Sequence, residues 1–153
     1  MAEQEKAIVP VQQQAMVPAI DYDRASKAAG VCKQIVTTTA LTIQGRKYVR
    51  VEGWQAIAVA HGCMASSRAV ERIEGGIRAI GEVRRASDGA LLAQAEGFVG
   101  DDEPTWWKRQ EYAKRAMAQT RAISRACRSA FAHVVVMMGA GLAASAVLAP
   151  LAA

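Results

Sequence analysis

Aromatic residues are scarce in this sequence, although apolar residues are not. Phe, Trp and Tyr make up 5% of the 153 residues, whereas hydrophobic residues make up 52%. Alanine accounts for much of the difference, because 32 residues are Ala, a composition that favours closely packed helices over a core of bulky side chains. The length suits one domain with tails and is too short for two independent cores.

Cysteines are few, and a recognisable targeting segment is absent from the sequence. Cys32, Cys63 and Cys127 form no Cys-x-x-Cys motif and are too few for a disulfide framework. Such thiols are typical of a reducing compartment, so we expect a cytoplasmic protein with inert cysteines. Residues 1–20 carry acids and a glutamine run where a signal peptide has a basic end and an apolar stretch, which predicts a disordered leader.

Motifs for cofactors are missing as well. The chain has no Gly-x-x-x-x-Gly-Lys-Ser/Thr loop for nucleotide phosphates, and His61 and Cys63 have no second ligand pair to complete a zinc site. We therefore expect no ATP, no metal, no other cofactor and no catalytic residue. The acidic run Asp101-Asp102-Glu103 leaves a Mg²⁺-dependent nuclease open as an alternative, although acids before a helix more commonly act as caps.

Charge is absent from residues 134–153. This is about the length of a membrane-spanning helix, which leaves open a small basic membrane-associated protein anchored by the segment. The segment is rich in Ala and Gly and poor in the Leu, Ile and Phe that drive insertion. We therefore expect no membrane partner and interpret it as a packed helix end followed by an apolar tail at 140–153.

Hydrophobic periodicity and turn residues predict five elements. They are a short helix at 22–34, a first hairpin at 35–51 around Gly45-Arg46-Lys47, a short helix at 54–60, a second hairpin at 77–99 around Ser87-Asp88-Gly89, and one long helix at 104–133. Helices and strands that are segregated in this way predict an α+β domain with an antiparallel sheet backed by the long helix.

The long helix carries most of the positive charge. Residues 104–133 hold seven bases and one acid, a local charge of +6, whereas the whole chain is +5. One face is a basic row, Lys114, Ala118, Arg121, Arg125 and Arg128, spaced by steps of four and three residues. The opposite side is apolar and is expected to pack on the sheet; it consists of Ala113, Ala116, Thr120, Ile123, Cys127 and Phe131.

This basic row indicates a polyanionic ligand. A solvated helix face normally mixes charges of both signs, because like charges four residues apart repel. Phosphates would compensate such a row and release their counterions, which fits a nucleic-acid backbone. Arg46, Lys47 and Arg50 on the first hairpin, and Arg84 and Arg85 beside the second, could extend the basic track or be ordinary surface charge.

Several aromatic residues lie near these bases. Candidates for stacking on nucleic-acid bases are Tyr48, Trp54, Trp106, Trp107 and Tyr112. In a chain with so few aromatic residues, core packing is favoured for Trp54 and for one of the paired tryptophans.

Three parts of the chain resemble a known family, in the family's order. They are Tyr48-x-x-x-Glu52-Gly53, which opens a short helix, a hairpin with an Asp88-Gly89 turn, and a long helix with the run Met117-Ala118-Gln119-Thr120-Arg121-Ala122 and the core Ser124-Arg125-Ala126-Cys127-Arg128-Ser129-Ala130-Phe131. Together they are similar to the single-strand annealing proteins of bacteriophages, of the Sak type, in the superfamily shared with the eukaryotic recombination mediator Rad fifty-two. The resemblance covers residues 31–139.

The resemblance implies a fold, an assembly and an activity. The fold would be a curved antiparallel sheet of β-hairpins packed on one long helix, with short helices, in a protomer that forms a ring or helical homo-oligomer. The domain, at 21–139, would bind single-stranded DNA and anneal complementary strands in homologous recombination without ATP, in the cytoplasm of a bacterial host. A phage exonuclease or a host single-strand-binding protein would be a partner.

The resemblance also implies site residues. Arg125 and Arg128 match by position the arginines with which the family contacts DNA. Gln55 and Ser124 stand where eukaryotic members carry basic residues, so some of the DNA contacts of the eukaryotic members are missing here. We therefore predict main phosphate contacts from Arg121, Arg125 and Arg128, a secondary contact from Lys114, and weaker contacts from Arg46, Lys47 and Arg50. The apolar tail is a further departure, because phage relatives carry a polar, acidic segment there.

Overall fold

The computed structural model describes residues 18–138 and 142–143. The elements are α1 (Pro18–Thr39), β1 (Leu41–Ile43), β2 (Arg46–Tyr48), α2 (Val51–Ala60), β3 (Cys63–Ile73), β4 (Gly76–Arg85), β5 (Leu91–Gly100), α3 (Glu111–Met138) and β6 (Leu142–Ala143). β3, β4 and β5 form an antiparallel sheet in that order. β1 and β2 form a short antiparallel hairpin, and β6 pairs with β2 in parallel. The predicted α+β class is confirmed.

α1 is longer than the sequence indicates, at both ends. It begins at Pro18, inside the predicted leader, whose other residues lie outside the described part of the chain. It also runs through the β-branched stretch that was predicted as a strand. Tertiary packing overrides local propensity there, because Val36 is fully buried in the core. Within the helix, the Thr39 hydroxyl donates to the Ile35 carbonyl, 2.8 Å away.

The first hairpin is confirmed, but its predicted turn is wrong by one residue. The turn is Gln44-Gly45, with φ values of +49° and +76°. Two central residues with positive φ match the right-handed twist of a two-residue hairpin. Arg46 and Lys47 therefore belong to β2 and not to the turn.

α2 begins three residues before its predicted start and includes Gly53. A Cβ on Gly53 would lie 2.9 Å from Cγ1 of Val49. The glycine therefore leaves room for the Val49 side chain to pack against the backbone of the first turn of α2. Trp54 and Ile57 are fully buried on the inner face. The helix ends at Ala60 with His61 as its C-cap, and Gly62 follows with a φ of +67°, the left-handed conformation found after many helix C-termini.

β3 is the element that the sequence pattern did not predict. Its alternation is interrupted by a β-bulge between Arg68 and Glu71, where Ala69 has a φ of +52°. The extra residue reverses which side chains face each side of the sheet. Arg72 thereby lies on the side of α3 instead of the outer side.

The second hairpin matches the prediction. Ile77, Ala79 and Val83 on β4 and Val99 on β5 are fully buried and face α3. β4 and β5 pair from Gly76↔Gly100 to Arg84↔Leu91, with a register shift beside the turn.

α3 begins at Glu111 instead of residue 104. Residues 101–110 form turns, because the Glu103 side chain accepts the Gly100 N–H at 2.8 Å and its carbonyl accepts the N–H groups of Trp106 and Trp107. The helix continues to Met138, beyond the predicted end.

The sheet-facing side of α3 also differs from the expected one. Ala118 and Ala122 are fully buried against the sheet, whereas Ala116 is exposed. The reason is two glycines on the sheet. A Cβ on Gly81 would lie 2.1 Å from the Ala122 carbonyl oxygen, and one on Gly97 would lie 2.3 Å from that of Ala118. The backbones of sheet and helix touch at these points, so only small residues fit between them.

The C-terminal half of α3 turns its buried side away from the sheet and toward α1 and α2. Phe131, Val134, Val135 and Met138 join a core cluster with Val36 and Trp54. The first residues of the uncharged stretch thus have a packing role, as expected. Of the predicted tail, the structure describes only β6. Among the described residues, no helix combines the length and apolar character that a membrane span requires.

Candidate nucleic-acid interface

The basic row of α3 divides into two pairs with different surroundings. Lys114 is buried, with 9% of its side chain exposed, and its Nζ lies 2.9 Å from Oδ1 of Asp101. Asp101 also accepts from Arg72 of β3, at 2.7 Å. These bonds, from Arg72 first and Lys114 second, lower the pKa of Asp101 to about 2. The charge of Lys114 is therefore compensated within the molecule.

Arg121 is held in the same way. Its two terminal nitrogens donate to the two Glu103 carboxylate oxygens at 2.7 and 2.8 Å, and Nη1 also donates to the Phe98 carbonyl. The side chain is 13% exposed. The bidentate bond from Arg121 is the largest cause of the lowered pKa of Glu103. Lys114 and Arg121 thus fasten the turn after β5 onto α3.

Arg125 and Arg128 have no such partner. Arg125 is exposed, and its Nη1 donates to the Glu96 carbonyl at 3.1 Å, a contact that leaves its charge uncompensated. Arg128 is half-buried. Neither residue forms an ion pair within the part of the chain that the structure describes.

The row follows the outer edge of β5. Arg121 binds the carbonyl of Phe98 and Arg125 that of Glu96, two residues back along the strand. β5 is an edge strand of its sheet, so these carbonyls would otherwise be open to water or to another strand. Arg125 therefore lies at the border between helix, strand edge and solvent.

The first hairpin contributes a second basic group. Arg46, Lys47 and Arg50 are exposed and form no ion pair with a described residue. Arg46 and Lys47 lie on β2, which pairs with β6, and Arg50 precedes α2. Because β6 follows Met138, the structure joins this hairpin to the C-terminal end of α3.

The bases beside the second hairpin are compensated. Arg84 donates to Glu82 at 2.8 Å, Arg68 bonds to the other oxygen of the same carboxylate, and Arg85 pairs with Asp88. The bonds from Arg84 and then Arg68 lower the pKa of the buried Glu82 to about 2. Arg78 pairs with both Glu71 and Glu96. Four bases thus face four acids around this hairpin, and it does not extend the basic track.

The aromatic candidates separate by burial. Trp54 is fully buried, and Trp106 packs against the second core cluster, formed by Ile77, Ala79, Val99, Ala118 and Ala122. Trp107 and Tyr112 are exposed. The expectation that Trp54 and one of the paired tryptophans serve the core is confirmed.

Of the residues considered for metal chemistry, Asp101, Glu103 and His61 contact other parts of the protein, whereas Asp102 is exposed. Asp101 and Glu103 bind cations of the protein, and His61 lies against Phe131, with 4.8 Å between ring centroids. Within the described residues, no group of three His, Cys, Asp or Glu side chains is arranged to hold a metal ion. The sequence did not identify Asp101 and Glu103 as partners of Lys114 and Arg121. The feature that could have indicated this pairing is the position of the two acids just before the basic helix.

Comparison of the chain with protein-family models, curated proteins and solved structures found no match. The relationship to the Rad fifty-two superfamily therefore stays a proposal that rests on residues of α2, the second hairpin and α3.

Proposed function

We propose that this protein binds single-stranded DNA and anneals complementary strands in recombination, as a homo-oligomer and without nucleotide hydrolysis. One observation carries the proposal: Arg125 and Arg128, the two arginines that match the family by position, keep uncompensated charge while Lys114 and Arg121 do not. Since an unpaired charge remains available to a ligand, Arg125 and Arg128 are the proposed main phosphate contacts.

The first hairpin supplies the secondary contacts in this proposal. Arg46 and Lys47 are exposed on β2, which pairs with β6 after the C-terminal end of α3, and Arg50 is exposed at the start of α2. Arg121 and Lys114 serve instead to position the turn before α3. A helix face and a hairpin that both present cations can hold a flexible backbone without reading its sequence.

Annealing needs charge compensation and no bond chemistry. Two complementary strands pair spontaneously once the repulsion between their backbones is screened. Guanidinium groups that bind phosphates release condensed counterions and leave base edges free to pair. A homo-oligomer would align many such contacts along one strand, and an exonuclease or a host single-strand-binding protein would deliver that strand.

The test is the salt dependence of binding by the full chain. We expect Arg125→Ala plus Arg128→Ala to weaken binding of an oligo(dT) strand and to flatten the plot of log affinity against log salt by about 0.7 per lost phosphate contact. The same variant should slow annealing of two complementary oligonucleotides in the absence of ATP. Light scattering tests the assembly, and a monomer at all concentrations would contradict it.

A matched control removes the same charge elsewhere. Lys27 and Lys33 are exposed on α1, without an ion pair to a described residue, so Lys27→Gln plus Lys33→Gln changes the net charge equally. We expect this control to keep the slope of the wild-type protein. An equal effect of both double variants, or an unchanged slope in the arginine variant, contradicts the assignment.

A further inference from the structure

The turn between β5 and α3 presents an exposed tryptophan. Trp107 is 56% exposed, and Tyr112, in the first turn of α3, is 76% exposed. The chain has only eight aromatic residues, so two with this exposure are a large share of them. An aromatic ring that stays in water offers its π-face to a ligand with flat rings, such as a nucleic-acid base.

The turn is held firmly, so the exposure does not come from a loose segment. Asp101 is bound by Arg72 and Lys114, and Glu103 by Arg121. The neighbouring Trp106 is anchored in the core cluster below the sheet. The backbone N–H of Trp107 donates to the Glu103 carbonyl at 2.9 Å, which fixes the position of the residue in this turn.

The net charge of the turn around Trp107 is positive. Three of its acids are paired with bases, since Asp101 and Glu111 bind Arg72 and Glu103 binds Arg121, and Asp102 is the one exposed acid that has no ion pair with a described residue. Lys108 instead lies over the Trp107 ring, with Nζ 4.5 Å from the ring centroid. Arg109 is exposed and forms no ion pair with a described residue.

We propose that Trp107 is a stacking platform for a base of single-stranded DNA, with Tyr112 as a second aromatic contact and Lys108 and Arg109 as partners of the flanking phosphates. This inference rests on the proposed function and adds a contact to bases. An aromatic ring beside cations suits a ligand that combines flat apolar rings with negative charge. Stacking also tolerates any sequence, because every base has a π-face.

Lys108 defines how the ligand would be accommodated. Its ammonium group covers one face of the indole, so a base stacks on the opposite face or displaces the ammonium toward a phosphate. Trp54 is fully buried and Trp106 is half-buried against the second core cluster, so neither presents its ring as Trp107 does.

The experiment compares two ligands that differ only in their bases. Full-length wild-type protein, Trp107→Ala and Trp107→Phe are titrated with oligo(dT) and with an abasic deoxyribose-phosphate oligomer of equal length. We expect Trp107→Ala to bind oligo(dT) about tenfold more weakly, with an unchanged salt slope and unchanged binding of the abasic oligomer. Trp107→Phe should retain most of the affinity. Val59→Ala, at an exposed apolar position on α2, is the matched control and should bind like the wild type.

The outcomes separate this inference from the proposed function. If the wild type binds oligo(dT) and Trp107→Ala binds it equally well, the stacking role is wrong and the phosphate contacts stand. If Trp107→Ala loses affinity for both ligands equally, the residue does not contact a base. If the wild type binds neither ligand, the proposed function fails, whatever the variants do.

Discussion

Arg121 shows how the neighbours of a side chain determine its role. It lies in the basic row with Arg125, yet it is 13% exposed and bonded to both oxygens of Glu103, which is itself 23% exposed. Removing one member of a buried ion pair leaves the other charged and poorly solvated, which is far more costly than losing an exposed charge.

We therefore expect Arg121→Met to lower the free energy of unfolding by about 3 kcal/mol. Arg125→Met, which removes an exposed arginine from the same helix, should change it by less than about 0.5 kcal/mol. Urea unfolding of the two variants, followed by circular dichroism, measures the difference. Equal losses would show that the pair with Glu103 contributes nothing of its own.

At the scale of elements, the contact between sheet and helix is made by backbone. Gly81 and Gly97 touch the Ala122 and Ala118 turns of α3, and a methyl group at either position would meet a carbonyl oxygen at 2.1 or 2.3 Å. Neither group is a flexible side chain, so the helix as a whole would have to move. This contact also explains why residues 118 and 122 of α3 are alanines.

Substitution of these glycines should therefore displace α3 from the sheet. We expect Gly81→Ala or Gly97→Ala to destabilise the protein by about 3 kcal/mol or more. Gly30→Ala is the control, because it lies within α1 with no atom within 4 Å of the added carbon. That change should stabilise by about 0.5–1 kcal/mol. Thermal melting of the three variants provides the comparison, and a tolerated Gly97→Ala would refute the close contact.

At the scale of the whole molecule, paired carboxylates connect the sheet, the turn at 101–103 and α3. Glu82 and Asp101 have pKa values of about 2, compared with ordinary values of 4.5 and 3.8, and those of Glu103 and Glu111 are also lowered. The unfolded chain therefore binds protons more readily than the folded one at mildly acidic pH. The stabilisation is complete above about pH 5 and is lost as pH falls toward 2.

We accordingly expect the melting temperature to fall steeply between about pH 5 and 2. Glu82→Gln should reduce stability at neutral pH and make this fall shallower, because one of the responsible carboxylates is gone. Asp102→Asn, at an exposed acid without an ion pair to a described residue, should keep the wild-type pH profile. An unchanged profile for Glu82→Gln would contradict this explanation.

Local patterns predicted the elements whose own residues carry a regular signal. The second hairpin has clean alternation and an Asp-Gly turn, and it was found where expected. β3 was missed, because its bulge breaks the alternation that marks a strand. α1 was predicted too short, because Val36 is buried against elements distant in sequence and that packing outweighs the β-branched composition.

The sequence by itself determined the α+β class, the surplus of positive charge on the long helix and the spacing that places Lys114, Arg121, Arg125 and Arg128 near one another. Only the tertiary structure decided which of these charges remain uncompensated. The reason is that a charge is compensated by whatever lies within a few ångströms, and the acids that pair with Lys114 and Arg121 lie 13 and 18 residues away, beyond the reach of any local pattern. Periodicity predicts that residues share a helix face, whereas packing against β5 and its turn determines what that face contacts.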